Sequence, residues 1–443
     1  MKRVGGLWEK LISMENAVST IENGTINKRS DQIVRRKLGY NDRNPDHVGK
    51  LCPSKVNSHA KRLIQILEEG WIHHAFRQKM VCPPRGKRRD INCPTLTDHL
   101  IHWMIIQTVR PLIMRGMYDH TYGSIPGRGI DGARATVERW VQHDSTAKYF
   151  VKLDIRKFYP SIDQDILFSA YRKIIKDEKY LSVLHTLIRA VPSGIPIGAY
   201  PSQWNGNFYL QPLDHHIVQD LYKTRRGKRT NFVRHYLRYM DDMLLIGTSK
   251  RDLEKAVREI IRYCREELKI EIKASWEIKL IASTKIDANG KKIVEPHTAP
   301  IDICGYRFYK DHTEARSGIF LHASRLATGI AKRLEQEGYV RLVDAEGLVS
   351  LCGWFEHADS EYFLSHYVNA KVSVNFLKGV ISYASKNGIV GDASRIYCGR
   401  SERDGQYHIL YGYSAGRARR RNSVLRNRLD DDLPVDVVLA EED

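Results

Sequence analysis

The segment Arg238-Tyr239-Met240-Asp241-Asp242-Met243-Leu244-Leu245-Ile246 sets two adjacent carboxylates between two β-prone runs, with no glycine or asparagine at the junction. Adjacent side chains on a strand point to opposite faces, so a flat strand cannot aim both aspartates at one point. At a hairpin tip the backbone turns, and the two can converge. Like charges held so closely repel, and a divalent cation with oxygen ligands is the usual compensation. For the pair alone, a solvated turn is an equal reading, since Asp is common in turns.

A second acidic position narrows the choice. Lys152-Leu153-Asp154-Ile155-Arg156-Lys157-Phe158-Tyr159-Pro160-Ser161-Ile162-Asp163 places Asp154 at the end of an apolar strand. Three carboxylates from two adjacent strand ends can hold two Mg²⁺ ions roughly 3.5–4 Å apart. One ion polarises a primer 3′-hydroxyl; the other binds a triphosphate and stabilises the leaving pyrophosphate in an in-line displacement. Magnesium suits this role because it keeps positions open for phosphate oxygens.

The charge balance agrees with a polyanionic partner. Against 52 Asp and Glu stand 71 Lys and Arg, a net +19 with a pI near 9.5, and nucleic acid is the first candidate for such a chain. No apolar run reaches the roughly 18 to 20 residues that span a bilayer. The start, Met1-Lys2-Arg3-Val4-Gly5-Gly6-Leu7-Trp8, has charge but no apolar stretch of signal type, so a cytoplasmic protein without membrane association is expected. The seven cysteines are scattered and form no CxxC pair, which supports neither a disulfide framework nor a zinc ribbon. The pairs His73–His74 and His215–His216 are weak metal signals, since neighbours on a helix diverge.

Periodicity gives helices over 10–21, 56–76, 97–114, 164–176, 201–222 and 250–268, and a helix running through Val141. A hairpin is expected over 80–93, with the basic tip Pro83-Pro84-Arg85-Gly86-Lys87-Arg88-Arg89. Strands are expected over 149–155, 232–239, 243–247, 270–281 and 303–309, and helix again over 322–385. An antiparallel sheet with helices on one face is an α+β fold.

At these residues the chain resembles the reverse transcriptase family. Tyr239-Met240-Asp241-Asp242 matches its YxDD box, and Asp154 the aspartate of its first palm motif. Gly86-Lys87-Arg88-Arg89-Asp90-Ile91 is similar to the finger hairpin whose basic residues, here Lys87 and Arg89, contact the incoming triphosphate. Tyr122-Gly123 through Gly127-Arg128-Gly129 resembles the YGxRxxR segment, with Ile125 in place of the first arginine. Ile303-Cys304-Gly305-Tyr306-Arg307-Phe308 resembles the primer-grip hairpin. The likeness covers about residues 80–310. It implies a right-hand polymerase, with an N-terminal extension and fingers in 1–145 and a palm in 146–310 carrying a fingers insertion near 164–195. A helical thumb would follow in 311–385 and an extension in 386–443.

The resemblance also implies roles. Asp154, Asp241 and Asp242 are catalytic and, with Ile155, hold two Mg²⁺ ions, for which Mn²⁺ can substitute. Tyr159 packs beneath the sugar and excludes a 2′-hydroxyl, which implies deoxynucleotide substrates. Gly198, Gln203, Tyr239 and Met240 join the substrate site, and Arg128, Gly305 and Tyr306 contact primer and template. Lys273 and Lys279 are both candidates for a lysine near the leaving pyrophosphate. Gly194-Ile195-Pro196-Ile197-Gly198-Ala199-Tyr200-Pro201-Ser202-Gln203 reads IGxxxSQ, the form of diversity-generating retroelements, where loss of a glutamine at Ile197 would loosen base selection.

The implied partners are an RNA template, a DNA or RNA primer, dNTPs and a small basic accessory protein. A defence-associated reverse transcriptase is the alternative, kept open by residues 386–443. There Tyr407, Tyr411, Tyr413 and Arg417-Ala418-Arg419-Arg420-Arg421 could stack on RNA or form a solvated tail. An inactive RNA-binding relic and a metal-dependent nuclease are the rivals from other classes. The relic leaves three clustered carboxylates without a purpose, and the nuclease leaves Tyr159 and the basic hairpin unexplained.

Overall fold

The computed structural model describes residues 3–25, 32–38, 51–81, 88–286, 292–389, 391, 393–401 and 406–413. They form two compact units: residues through Ala133 with Thr146–Ile278, and Arg134–Ser145 with the chain from Lys279.

The first unit opens with helices α1 (Leu7–Leu11), α2 (Met14–Gly24), α3 (Gln32–Leu38) and α4 (Pro53–Glu68), then an antiparallel hairpin of β1 (Arg77–Val81) and β2 (Arg89–Cys93). Next come α5 (Leu96–Arg115), β3 (Thr121–Tyr122), α6 (Ile130–His143), which passes into the second unit, and β4 (Tyr149–Asp154). The one-turn α7 (Phe158–Ser161), then α8 (Gln164–Ile174), α9 (Glu178–Ile188) and α10 (Tyr200–Gln219) lead to a hairpin of β5 (Tyr222–Arg225) and β6 (Lys228–Asn231). The unit closes with β7 (His235–Tyr239), β8 (Asp242–Gly247) and α11 (Lys250–Glu266).

Its sheet runs β4-β8-β7-β3, antiparallel except for the β3–β7 pair. Helix α11 shows why it lies on this sheet. Ser249 caps its first turn by accepting from the Asp252 amide, and Leu253, Ala256, Val257, Ile260 and Cys264 form one buried stripe at three- and four-residue spacing against β8 and β4. Helix α10 is buried nearly all round, packed on α5, α8 and α11, and so forms the centre of the unit.

The second unit carries short strands β9 (Lys279–Ile281), β10 (Thr284–Ile286), β11 (Lys292–Val294) and β12 (Thr298–Ala299), followed by the meander β13 (Ile301–Ile303), β14 (Tyr306–Phe308) and β15 (Thr313–Ala315). Helix α12 (Ser317–Glu337), β16 (Tyr339–Arg341), α13 (Leu342–Gly353), α14 (Glu361–Phe363) and α15 (Val374–Lys386) come next. Strands β17 (Arg395–Arg400) and β18 (Tyr407–Tyr413) then join β16 in an antiparallel sheet. The core of this unit brings Ala323, Ala327, Ile330 and Leu334 of α12 against Leu348 and Leu377.

The mixed helix and strand content agrees with the expected α+β class, and four local expectations change. The helix expected to reach Phe76 stops at Glu68, and Trp71 instead turns inward to donate to buried Asp98 at 2.9 Å. The strand expected over 270–281 forms a ladder only at β9, with a lone bridge at Ile272. The hairpin β5–β6 was not anticipated: its turn residues Arg226 and Gly227 both take positive φ, and the strands on either side are largely exposed, so no alternating pattern announces them. Within 386–443, residues 395–400 and 407–413 are strands rather than tail; the basic run Arg417–Arg421 and the acidic end lie outside the described residues. Compactness divides the chain at Ile278/Lys279, before the motif boundary at residue 310. Among the described residues no helix is long and apolar enough to cross a membrane.

Candidate active site

Strands β7 and β8 close on the pair Tyr239–Asp242, which leaves Met240 and Asp241 as a two-residue turn. Met240 sits at φ +54°, a conformation that non-glycine residues avoid and hold only where their surroundings dictate it. Those surroundings are specific. The Met240 amide donates to the Tyr122 carbonyl at 3.1 Å, and the Met240 carbonyl accepts from Arg238 Nη1 at 2.9 Å. Gly123 (φ +89°) comes so close that a Cβ there would lie 2.9 Å from Met240 Cγ.

Beneath the turn lies a buried charge network. Arg238 is fully buried; its Nε and Nη2 donate to the Asp214 carboxylate at 2.8 and 2.6 Å, and its Nη1 to Asn207 Oδ1 at 2.8 Å. Tyr236 Oη donates to the same carboxylate at 2.7 Å, and Asn207 Nδ2 reaches back to the Gly123 carbonyl at 3.2 Å. Every polar group in this network that borders the turn has a partner, as buried ions require. Asp214, Arg238 and Asn207 escaped sequence reasoning. The available signal was an arginine inside the otherwise β-prone run His235-Tyr236-Leu237-Arg238-Tyr239.

Register sets the three aspartates at neighbouring backbone positions. Asp154, last residue of β4, pairs in register with Asp242, first residue of β8, and Asp241 precedes it. Burial raises the Asp241 carboxyl to about 6; Asp242 and Asp154 push the same way, while its own backbone hydrogen bond and Lys273 oppose them. Of the two candidate lysines, Lys273 contacts an aspartate: its ammonium donates to Asp154 Oδ2, and its amide donates to the Asp154 carbonyl at 2.9 Å; Lys279 is the first residue of β9. Ile155 is 1% exposed, so only its backbone could serve an ion.

The residues fit a divalent cation chemically. Their donors are hard oxygens, and burial, with Asp242 and Asp154 adding to it, disfavours the charged form of Asp241, a cost that a cation would offset. The site is not a ready-made cage: among the described residues no three His, Cys, Asp or Glu side chains converge for metal, and Asp154 carries Lys273. Metal binding there would exchange that ammonium for the ion.

Around the carboxylates, Tyr159 is held by burial with its phenol pushed well up, and it feels the charges of Asp241 and Arg89. The loop before α10 bonds its backbone through the Ile195 amide to the Tyr159 carbonyl at 2.9 Å. Gly198 (φ +95°) lies on β2, where a Cβ would stand 2.1 Å from Ile91 Cγ2. Gln203 is half-buried in the first turn of α10, and Arg89 is exposed on β2. Lys87 lies outside the described residues. Arg128 spends its guanidinium on its own loop, donating to the Tyr118 carbonyl at 2.8 Å. Gly305 and Tyr306 belong to the second unit, with the Tyr306 ring centroid 5.2 Å from that of Trp354.

Comparison with known proteins adds an independent finding. Residues 77–277 match the family model described as reverse transcriptase (RNA-dependent DNA polymerase). The chain is 25% identical over 260 residues to the retron Ec73 reverse transcriptase of Escherichia coli, covering 57% of this chain and 76% of that protein. It is 28% identical over 176 residues to the group II intron-encoded protein LtrA of Lactococcus lactis subsp. cremoris, covering 36% of this chain and 28% of LtrA. Among solved structures, telomerase from Candida albicans in complex with a fragment of telomeric RNA is similar with a TM-score of 0.39 at 12% identity, covering 72% of this chain and 58% of that one. The chain therefore carries, over residues 77–277, a reverse transcriptase domain, the catalytic unit of an RNA-directed DNA polymerase.

Proposed function

We propose that the chain copies an RNA template into complementary DNA by phosphoryl transfer at Asp154, Asp241 and Asp242. The observation that carries this reading is the pairing of Asp154 with Asp242 beside the turn that holds Asp241. Bound by these carboxylates and the Ile155 backbone, two Mg²⁺ ions, or Mn²⁺, would supply activation of the primer 3′-hydroxyl and neutralise the triphosphate. Asp241, whose carboxyl burial raises to about 6 in the metal-free chain, must lose its proton to hold an ion. Lys273 stands beside Asp154 with a proton to give, the role assigned here for the leaving pyrophosphate.

Arg89 and Lys87 would clamp the triphosphate with charge-assisted hydrogen bonds. Tyr159 would lie beneath the sugar and reject a 2′-hydroxyl. Gly198, Gln203, Tyr239 and Met240 would line the nucleotide, and Arg128, Gly305 and Tyr306 would serve primer and template. Fingers, palm and thumb are the names this reading gives to residues 1–145, 146–310 and 311–385.

The finer reading is the error-prone polymerase of a diversity-generating retroelement, supported by Ile197, whose carbonyl accepts from the Asn92 amide of β2 at 2.8 Å, and by Gln203 in the first turn of α10. Its partners would be a template-repeat RNA and a small basic accessory protein. The strands at 395–400 and 407–413 favour a second reading, a defence-associated enzyme with a folded extension. Primer extension on an RNA template with Mg²⁺ and four dNTPs, followed by sequencing, tests both. Errors concentrated opposite template adenine support the retroelement; accurate or template-free synthesis supports defence. No incorporation, even with neighbouring RNA and protein co-expressed, overturns the polymerase reading.

A further inference from the structure

The sheet β16-β17-β18 has two unlike faces. Val340 and Ile396 are fully buried toward the helical core, and Gly412 sits where a Cβ would strike Ile389 and Ile396. Register fixes what the opposite face carries: Tyr339 pairs with Tyr397 and Tyr397 with Tyr411, while Arg341 pairs with Arg395 and Arg395 with Tyr413. Alternation therefore gathers four tyrosines and two arginines from three strands on one side.

These side chains are already ordered. The Tyr397 and Tyr411 rings stack at 4.7 Å and 17°, and the Arg395 guanidinium lies 4.7 Å over the Tyr339 ring. A bulge after Tyr397 adds Leu410 beside Gly399. Leu410, Tyr411 and Tyr413 are 62%, 56% and 50% exposed, so broad apolar surface meets solvent. No acidic residue is among the side chains that register places on this face; Asp344 pairs with Arg341 from α13. The exposed rings of Tyr411 and Tyr413 beside Arg395, with Asp344 engaged by Arg341 and Glu337 by Tyr339 at the rim, match the faces of unpaired bases and their phosphates.

We propose that this face is a stacking platform for single-stranded RNA; it rests on the RNA-copying reading above. The test is fluorescence anisotropy of the full chain with a labelled single-stranded RNA of about 12 nucleotides, within the range one such platform spans, beside primer extension on saturating pre-annealed primer–template. Tyr411→Ala/Tyr413→Ala is expected to weaken RNA binding roughly ten-fold or more, with extension unchanged. Tyr411→Phe/Tyr413→Phe keeps the rings and should bind like wild type, which separates stacking from misfolding. An RNA duplex, whose base faces are covered, should bind this face poorly.

Wild-type affinity in the alanine variant, or equal loss for duplex and single strand, overturns the proposal and leaves the face to a protein partner. Face-dependent RNA binding without any polymerisation would sustain it while the RNA-copying reading fails.

Discussion

At the scale of single residues, the site is set by charge that has been buried with incomplete compensation. Asp241 has its carboxyl raised to about 6 from 3.8, chiefly by burial, which penalises its ionised form in the folded protein. The unfolded chain ionises this group first as pH rises, so metal-free protein loses stability between about pH 4 and pH 6, and the penalty is complete above that window. Asp241→Asn removes it. Thermal unfolding in a chelator should show the variant melting above wild type at pH 8, with the gap closing by pH 4; an equal gap at both would contradict the shift. Tyr159 gives a second prediction. Tyr159→Ala opens the space beneath the sugar, so incorporation of ribonucleotides should rise relative to deoxynucleotides, measured as the ratio of kcat/KM for the two substrates; an unchanged ratio would remove Tyr159 from sugar selection.

At the scale of elements, the β7–β8 hairpin is a turn imposed from outside. Met240 is a poor residue for positive φ, and the buried Arg238–Asp214 pair with Gly123 alongside makes the conformation affordable. Arg238→Met leaves Asp214 buried without its partner, and a loss of about 3–5 kcal/mol is expected in denaturant unfolding. Adding Asp214→Asn should recover part of that loss, because an amide costs less to bury than an unpaired carboxylate. Gly123→Ala adds a Cβ 2.9 Å from Met240 Cγ at φ +89°. A cost of about 1–3 kcal/mol in stability is expected, with a larger fall in polymerisation than in RNA affinity, since the strain falls on the turn.

The same element shows what a sequence can and cannot disclose. Two β-prone runs around Asp241-Asp242 are local, and so was the expectation of a hairpin. The partner that supports the turn, Asp214, lies on α10, far away in sequence, and only packing joins it to Arg238. Likewise Lys273 and Lys279 are indistinguishable by spacing, and only the backbone pairing of 271–273 with 154–156 brings Lys273 beside Asp154. The sheet β16-β17-β18 was hidden for the same reason: β16 lies between two helices, and its partners come from a stretch whose tyrosines and arginines also suit a solvated tail.

At the scale of the whole chain, a net charge of +19 surrounds the reverse transcriptase domain over 77–277, as the proposed polyanionic substrates require. Binding of RNA should therefore weaken steeply with salt, as condensed counterions are released. The central claim is narrower: three aspartates from two strand ends carry out template-directed addition of deoxynucleotides. The direct measurement is single-turnover extension of a primer on an RNA template with Mg²⁺, comparing wild type with Asp154→Ala and with Asp241→Ala/Asp242→Ala, each at saturating RNA. Incorporation by wild type, abolished in both variants while their affinity for RNA persists, is the predicted result. Extension that survives loss of these carboxylates would contradict the account.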